Sequence, residues 1–123
     1  MIRALAAAAV LLTAPAVAQD QGAERVASGQ GAVLRGLDKV SGQTVDVEIY
    51  SGGGAAVLGL EVEMADCRYP VDNPTGDAFA FVTVHETEKP DILFRGWMIA
   101  SAPALNALDN SRYDVWVLRC ITS

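Results

Sequence analysis

The sequence predicts a mainly β fold: a small antiparallel β-sandwich or barrel with one short helix before the last strand. Three observations predict it. Beyond residue 31, six short segments read as strands, most of them alternating apolar and polar residues with period two and one, Ile92 to Ala100, mostly apolar. Clusters of Gly, Pro, Asn, Asp and Ser separate them. The gaps are too short for the crossover helices that parallel strands need, so neighbouring strands are expected to run antiparallel.

Taken in order, residues 1–18 have the pattern of a secretory signal. Arg3 supplies the positive start, Ala4 to Leu12 an uncharged apolar run, and Ala16-Val17-Ala18 the small residues of a cleavage site. The run is far shorter than the roughly 20 residues that span a bilayer. Cleavage after Ala18 would deliver a periplasmic protein with no membrane insertion. Residues 19–31 (QDQGAERVASGQG) lack apolar periodicity and read as a flexible N-terminal tether. Residues 32–123 form one β domain.

Within it, Val33 to Leu37 is the first strand, Asp38 to Gly42 a turn, and Thr44 to Tyr50 a second strand. That second strand carries Val45, Val47 and Ile49 on one face and Asp46, Glu48 and Tyr50 on the other. The two suit a hairpin. Ser51 to Gly54 reads as a loop. Ala56 to Cys67 reads as one strand with a bulge at Gly59, Leu60, Val62 and Met64 sharing one parity and Cys67 the other. Arg68 to Asp77 is a surface loop rich in proline and acids. Ala78 to Glu86 is a strand with Phe79, Phe81, Thr83 and His85 on one side and small apolar residues on the other. Ile92 to Ala100 is an apolar strand. Ser101 to Leu108 suits a short helix, with Ser101 as cap and Pro103 in the first turn. Tyr113 to Ile121 closes the domain, its parity grouping Cys120 with Trp116 and Leu118 and setting Val115 and Val117 apart.

Cys67 and Cys120 are the only cysteines. An even pair in an exported chain is most simply a disulfide. The chain carries 15 acidic and 9 basic side chains, a net charge of −6. Nucleic acid and anionic membrane surfaces would be repelled.

The run Gly96, Trp97, Met98, then Ala100, Ser101, Pro103 to Leu108, then Tyr113 to Val117 and Cys120 resembles a known family signature. So does the turn Leu37-Asp38-Lys39-Val40-Ser41-Gly42. The family is the one called domain of unknown function 2155, small exported proteins mostly of alphaproteobacteria. The resemblance covers roughly Val33 to Cys120, and Cys67 falls where the family has its other cysteine. Ala102 and Asp109-Asn110-Ser111 depart from its Ser and Glu-His-Pro. The family has no assigned reaction, so the resemblance carries over no catalytic residue. Genes of such proteins often lie beside that of an accessory subunit of NADH:ubiquinone oxidoreductase, so the resemblance implies an association of genes and no mechanism.

The residue chemistry points away from an enzyme. His85 is the only histidine, so no histidine cluster exists for zinc, and paired cysteines supply no thiolate. Asp72, Asn73 and Asp77 lack the regular spacing of a calcium loop. No catalytic residue, cofactor or metal ligand is expected. The candidate contact surface is Phe94, Trp97, Tyr113 and Trp116. Arg95, Arg112 and Arg119 flank it and are expected to pair with Asp91, Asp109 and Asp114. The leading expectation is a non-catalytic interaction or accessory module with an envelope or inner-membrane protein partner. The alternative is a binder of a small envelope ligand such as a glycan. A hydrolase using His85 or paired acids ranks third.

Overall fold

The computed structural model describes residues 25–122. The signal segment and residues 19–24 of the tether lie outside them. Among the described residues there are eight strands and no helix. They are β1 (Val26–Ser28), β2 (Gly31–Asp38), β3 (Thr44–Tyr50), β4 (Gly53–Val57), β5 (Leu60–Pro70), β6 (Phe79–Glu86), β7 (Ile92–Ile99) and β8 (Tyr113–Ile121). All pairings are antiparallel. One sheet runs β1-β5-β6-β7, with β4 also paired to β5; the other runs β3-β2-β8. The two pack against each other as a sandwich around one core. Leu34, Ile49, Val115 and Val117 fill it from the three-stranded side, and Leu60, Val62, Met64, Val82, Val84 and Met98 from the five-stranded side.

Simple alternation accounts for β3 and β6. In β6, Ala80, Val82 and Val84 are fully buried, while Phe79, Phe81, Thr83 and His85 take the opposite face. In β5 and β8 alternation is interrupted by a bulge in each. Met64 pairs with Val82 and Asp66 with Phe81, so Ala65 is an extra residue. Val117 pairs with Leu34 and Arg119 with Val33, so Leu118 is another. One extra residue reverses the parity of everything after it. Cys67 therefore joins Leu60, Val62 and Met64 on the inner face, and Cys120 joins Val115 and Val117. The expected parities of both cysteines are corrected by these bulges. Cys67 and Cys120 form a disulfide between the sheets, 5.7 Å apart at Cα, with both residues buried.

Three further expectations are corrected. First, Ser101 to Leu108 is not a helix but a series of turns. The expected cap, Ser101, donates its hydroxyl to Asp77 Oδ2 at 2.7 Å and its N–H to Asp77 Oδ1 at 3.0 Å. Leu105 N–H bonds Ala102 O, a turn spacing. Leu108 is buried, whereas Leu105 is 73% exposed. A segment this short needs a packed apolar face to stay helical, and this one has none.

Second, the tether is structured from Val26 on. Strand β1 pairs Ser28 with Arg68 and Val26 with Pro70. Gly29 N–H and Gln30 N–H donate to Cys67 O and Ile121 O. Backbone pairing holds this piece, which leaves no trace in apolar periodicity.

Third, Ala56 to Cys67 is a hairpin rather than one strand. Val57 pairs with Leu60 across a two-residue turn, Leu58-Gly59. Leu58 carries the positive φ of 56° that glycine favours in such turns. Glycine is needed one residue later, because a Cβ on Gly59 would strike the Tyr113 phenol.

Three predictions follow from this packing. The folded protein should show no thiol to Ellman's reagent until it is unfolded and reduced. Cys67→Ala/Cys120→Ala should lose about 4 kcal/mol in urea unfolding, since the bond closes a loop with a sequence separation of 53. Gly36→Ala should cost about 1–3 kcal/mol in the same assay, because its new methyl would meet the buried Val57 side chain.

Candidate functional site

The fold distributes the four predicted contact residues rather than gathering them. Phe94 and Tyr113 pack against the core cluster. Trp97 lies on the outer face of the five-stranded sheet, paired with Phe81 across β6 and β7. Trp116 lies on the other sheet, opposite Arg35. It borders a hollow of about 330 Å³ with Pro103, Ala104, Ala107 and Asp114. The single surface expected from sequence is thus split into two core residues and two tryptophans on different sheets.

The larger feature is the outer face of the five-stranded sheet. Cross-strand register sets its side chains in rows. Arg68 faces Phe79, which faces Ile99. Asp66 faces Phe81, which faces Trp97. Glu63 faces Thr83, which faces Arg95, and Glu61 faces His85. One end of the face is aromatic and the other acidic. The sequence had put Phe79 and Phe81 on one side of their strand without grouping them with Trp97, because their adjacency depends on strand pairing.

At the aromatic end, Val26, Arg68, Phe79 and Trp97 line a hollow of about 270 Å³. Phe81 meets Trp97 edge-on, with ring centroids 5.3 Å apart and planes at 71°, the geometry aromatic quadrupoles prefer. The Arg68 guanidinium lies 5.0 Å from the Trp97 ring centroid, a cation–π contact. Arg68 Nε also donates to Asp66 Oδ2 at 2.9 Å, and Ser28 Oγ donates to the same oxygen at 3.2 Å. Arg68 is therefore both neutralised and fixed over the indole.

At the acidic end, Glu61, Glu63, Thr83, His85 and the Gly52–Gly54 run border a hollow of about 530 Å³. His85 Nδ1 lies 2.9 Å from the Glu86 carbonyl oxygen. That oxygen can only accept, so Nδ1 carries the proton in this contact. Among the described residues, no group of three or more His, Cys, Asp or Glu is placed to hold a metal ion.

A family model described as "Uncharacterized protein conserved in bacteria (DUF2155)" matches residues 32–120. The chain belongs to this family. Uncharacterized protein RP359 of Rickettsia prowazekii (strain Madrid E) is similar to it, 22% identical over 87 residues. That alignment covers 68% of this chain and 56% of the relative, so the chain spans little more than half of that relative's length. No solved structure matches the chain. The DUF2155 match begins inside β2 and ends on Cys120, so β1 and its Val26 stand outside the matched span.

In this DUF2155 chain, the motif residues that suggested the family act first on structure. Asp38 is 6% exposed and is the buried charged residue of the domain. Its Oδ1 accepts from Val40 N–H and Ser41 N–H, closing the Leu37–Gly42 turn. Its Oδ2 accepts from Arg112 at 3.2 Å, so Arg112 pairs here and not with Asp109 or Asp114. Lys39 Nζ donates to Asn110 O at 2.6 Å, fastening the turn to the segment before β8. Arg95 donates to Thr83 Oγ1 at 3.4 Å. Asn106 Nδ2 donates to Trp97 O at 2.8 Å, covering one carbonyl of the edge strand β7.

Burial pushes the Asp38 carboxyl up, while the bonds from Val40 N–H, Arg112 and Ser41 N–H push it down further. The net position lies below its ordinary 3.8. A lowered folded-state value means Asp38 stabilises the fold above its unfolded value, and that contribution is lost as pH falls through the folded one. Asp38→Asn should therefore lower the urea midpoint at pH 7, and the gap from wild type should close as pH falls below about 4.

Proposed function

We propose that this domain is an exported, non-catalytic interaction module that docks a protein partner of the bacterial envelope on the outer face of its five-stranded sheet. One observation carries the reading. Val26, Phe79 and Trp97 surround an open apolar hollow on an exterior sheet face, and Val26 is 43% exposed. Aromatic residues and arginine are enriched where proteins meet, and an open apolar patch rimmed by polar groups marks a contact site. Export is supported by the signal pattern of residues 1–18 and by a buried disulfide, which persists in oxidising compartments. The periplasm is the compartment proposed, with an inner-membrane respiratory complex as the first partner class to test.

Two alternatives fit the face less well. A glycan would need to stack on Trp97, but Arg68 already covers that ring and is held there by Asp66. A hydrolase that pairs His85 with a serine or cysteine nucleophile finds neither residue type lining that hollow.

A photo-crosslinking residue at Val26 or Phe79 in growing cells should give the same discrete adduct at both positions. Tyr50, exposed on the other sheet, should give none. Adducts that are absent at Val26 and Phe79, or equal at Tyr50, would overturn the assignment of this face.

A further inference from the structure

We infer that the partner presents an extended segment with basic side chains at one end and an apolar side chain at the other. The basic groups enter the Glu61–Glu63 hollow and the apolar group enters the Val26–Phe79–Trp97 hollow. This rests on the docking face proposed above and adds the chemistry of what docks there.

The sign of the charge follows from which ions on this face are already paired. Arg68 is bound to Asp66 and lies over Trp97. It is the charged residue lining the apolar hollow, and it is satisfied there. Glu61 and Glu63 are not satisfied in this way. They stand two apart on β5 and so point to the same face. Neither takes part in any ion pair among the described residues. Glu63 faces Thr83, and Arg95 is the next residue across the sheet. Two strand spacings put the Arg95 backbone roughly 10 Å from that of Glu63. Arg95 also directs its Nε toward Thr83. Two like charges on one strand face, neither in an ion pair among the described residues, are complementary to a cation brought from outside.

The geometry sets the reach of the segment. Phe79 and His85 are six residues apart on β6. At about 3.3 Å per residue, the two ends of the face lie roughly 20 Å apart. An extended run of about seven residues covers that length. The hollow over Gly52–Gly54 is open because no side chain stands on that rim, which leaves room for a lysine or arginine head. The apolar hollow, about 270 Å³, holds one or two large apolar side chains. An acidic chain with a net charge of −6 also steers a basic segment toward itself before contact.

The test titrates the protein with a seven-residue peptide, capped at both termini, carrying two lysines at one end and Leu-Phe at the other. Binding is read from the Trp97 indole N–H shift in nuclear magnetic resonance spectra, with the Trp116 indole on the other sheet as internal control. The expected result is a saturable Trp97 shift with Trp116 unmoved. Glu61→Gln/Glu63→Gln should weaken it about tenfold, as should a rise from 50 to 500 mM salt, since two part-exposed ion pairs are removed or screened. Thr83→Lys, which places a cation in the hollow, should weaken it similarly and provides a second variant if the double one unfolds.

Equal or tighter binding of a matched peptide with two glutamates would overturn the inference and make Arg68 the anchor. So would a Trp97 shift on adding chitin or peptidoglycan fragments in place of peptide. If neither peptide moves Trp97 while the Val26 and Phe79 crosslinks persist, the partner chemistry is wrong and the docking face stands. If the crosslinks also fail, both fall.

Discussion

The Cys67–Cys120 bond is the constraint on which the sandwich depends. It joins β5 to β8 at the core, so it is the covalent link between two sheets that otherwise meet through apolar contacts and chain crossings. It exists only because each strand carries one extra residue before its cysteine. Were Ala65 and Leu118 held in ordinary ladder register instead of bulged out, strict alternation would turn both sulfurs outward, away from each other. The bulges also aim the residues beside the cysteines. Asp66 is brought to the outer face, where it holds Arg68 against Trp97. The core staple and the exterior aromatic surface thus share an origin in the backbone of β5.

Where side chains report directly on burial, the fold was legible in the sequence. Val45, Val47 and Ile49 against Asp46 and Glu48 define β3, and Ala80, Val82 and Val84 against Phe79, Phe81 and Thr83 define β6. The parts that were not legible depend on the backbone or on distant partners. A bulge changes phase without changing residue type, so the cysteine parities came out reversed. Strand β1 is held by main-chain bonds to β5 and carries no apolar pattern. Ser101 and Pro103 have a helix-start signature, but Asp77, distant in sequence, takes the capping group for a turn. The disulfide was legible because two cysteines in a chain that reads as exported leave few options.

The candidate site was legible only in pieces. Trp97 was identified by its residue type, but its neighbours Phe79 and Phe81 come from another strand, and Val26 comes from the segment read as a tether. Phe94 and Tyr113 show the converse limit. An aromatic residue in a strand serves core or surface equally well, and one residue of phase decides which. For Tyr113 the decision is visible in its contact with Gly59, where the absence of a Cβ lets the phenol close against the β4–β5 turn.

The position of β8 in the three-stranded sheet has a consequence for how the chain comes together. β2 and β3 are neighbours in sequence and can pair as soon as both exist. The other edge of β2 waits for β8, which follows every other strand, with Ala32 meeting Cys120 across nearly the whole domain. Such distant pairings make assembly slow. Under the export proposed above, a chain threaded unfolded through a membrane, N-terminus first, would hold an open β2 edge throughout its passage. That edge is a template for pairing with other chains. The interval before β8 arrives is the period in which an envelope chaperone would be needed, and oxidation of the thiols marks its end.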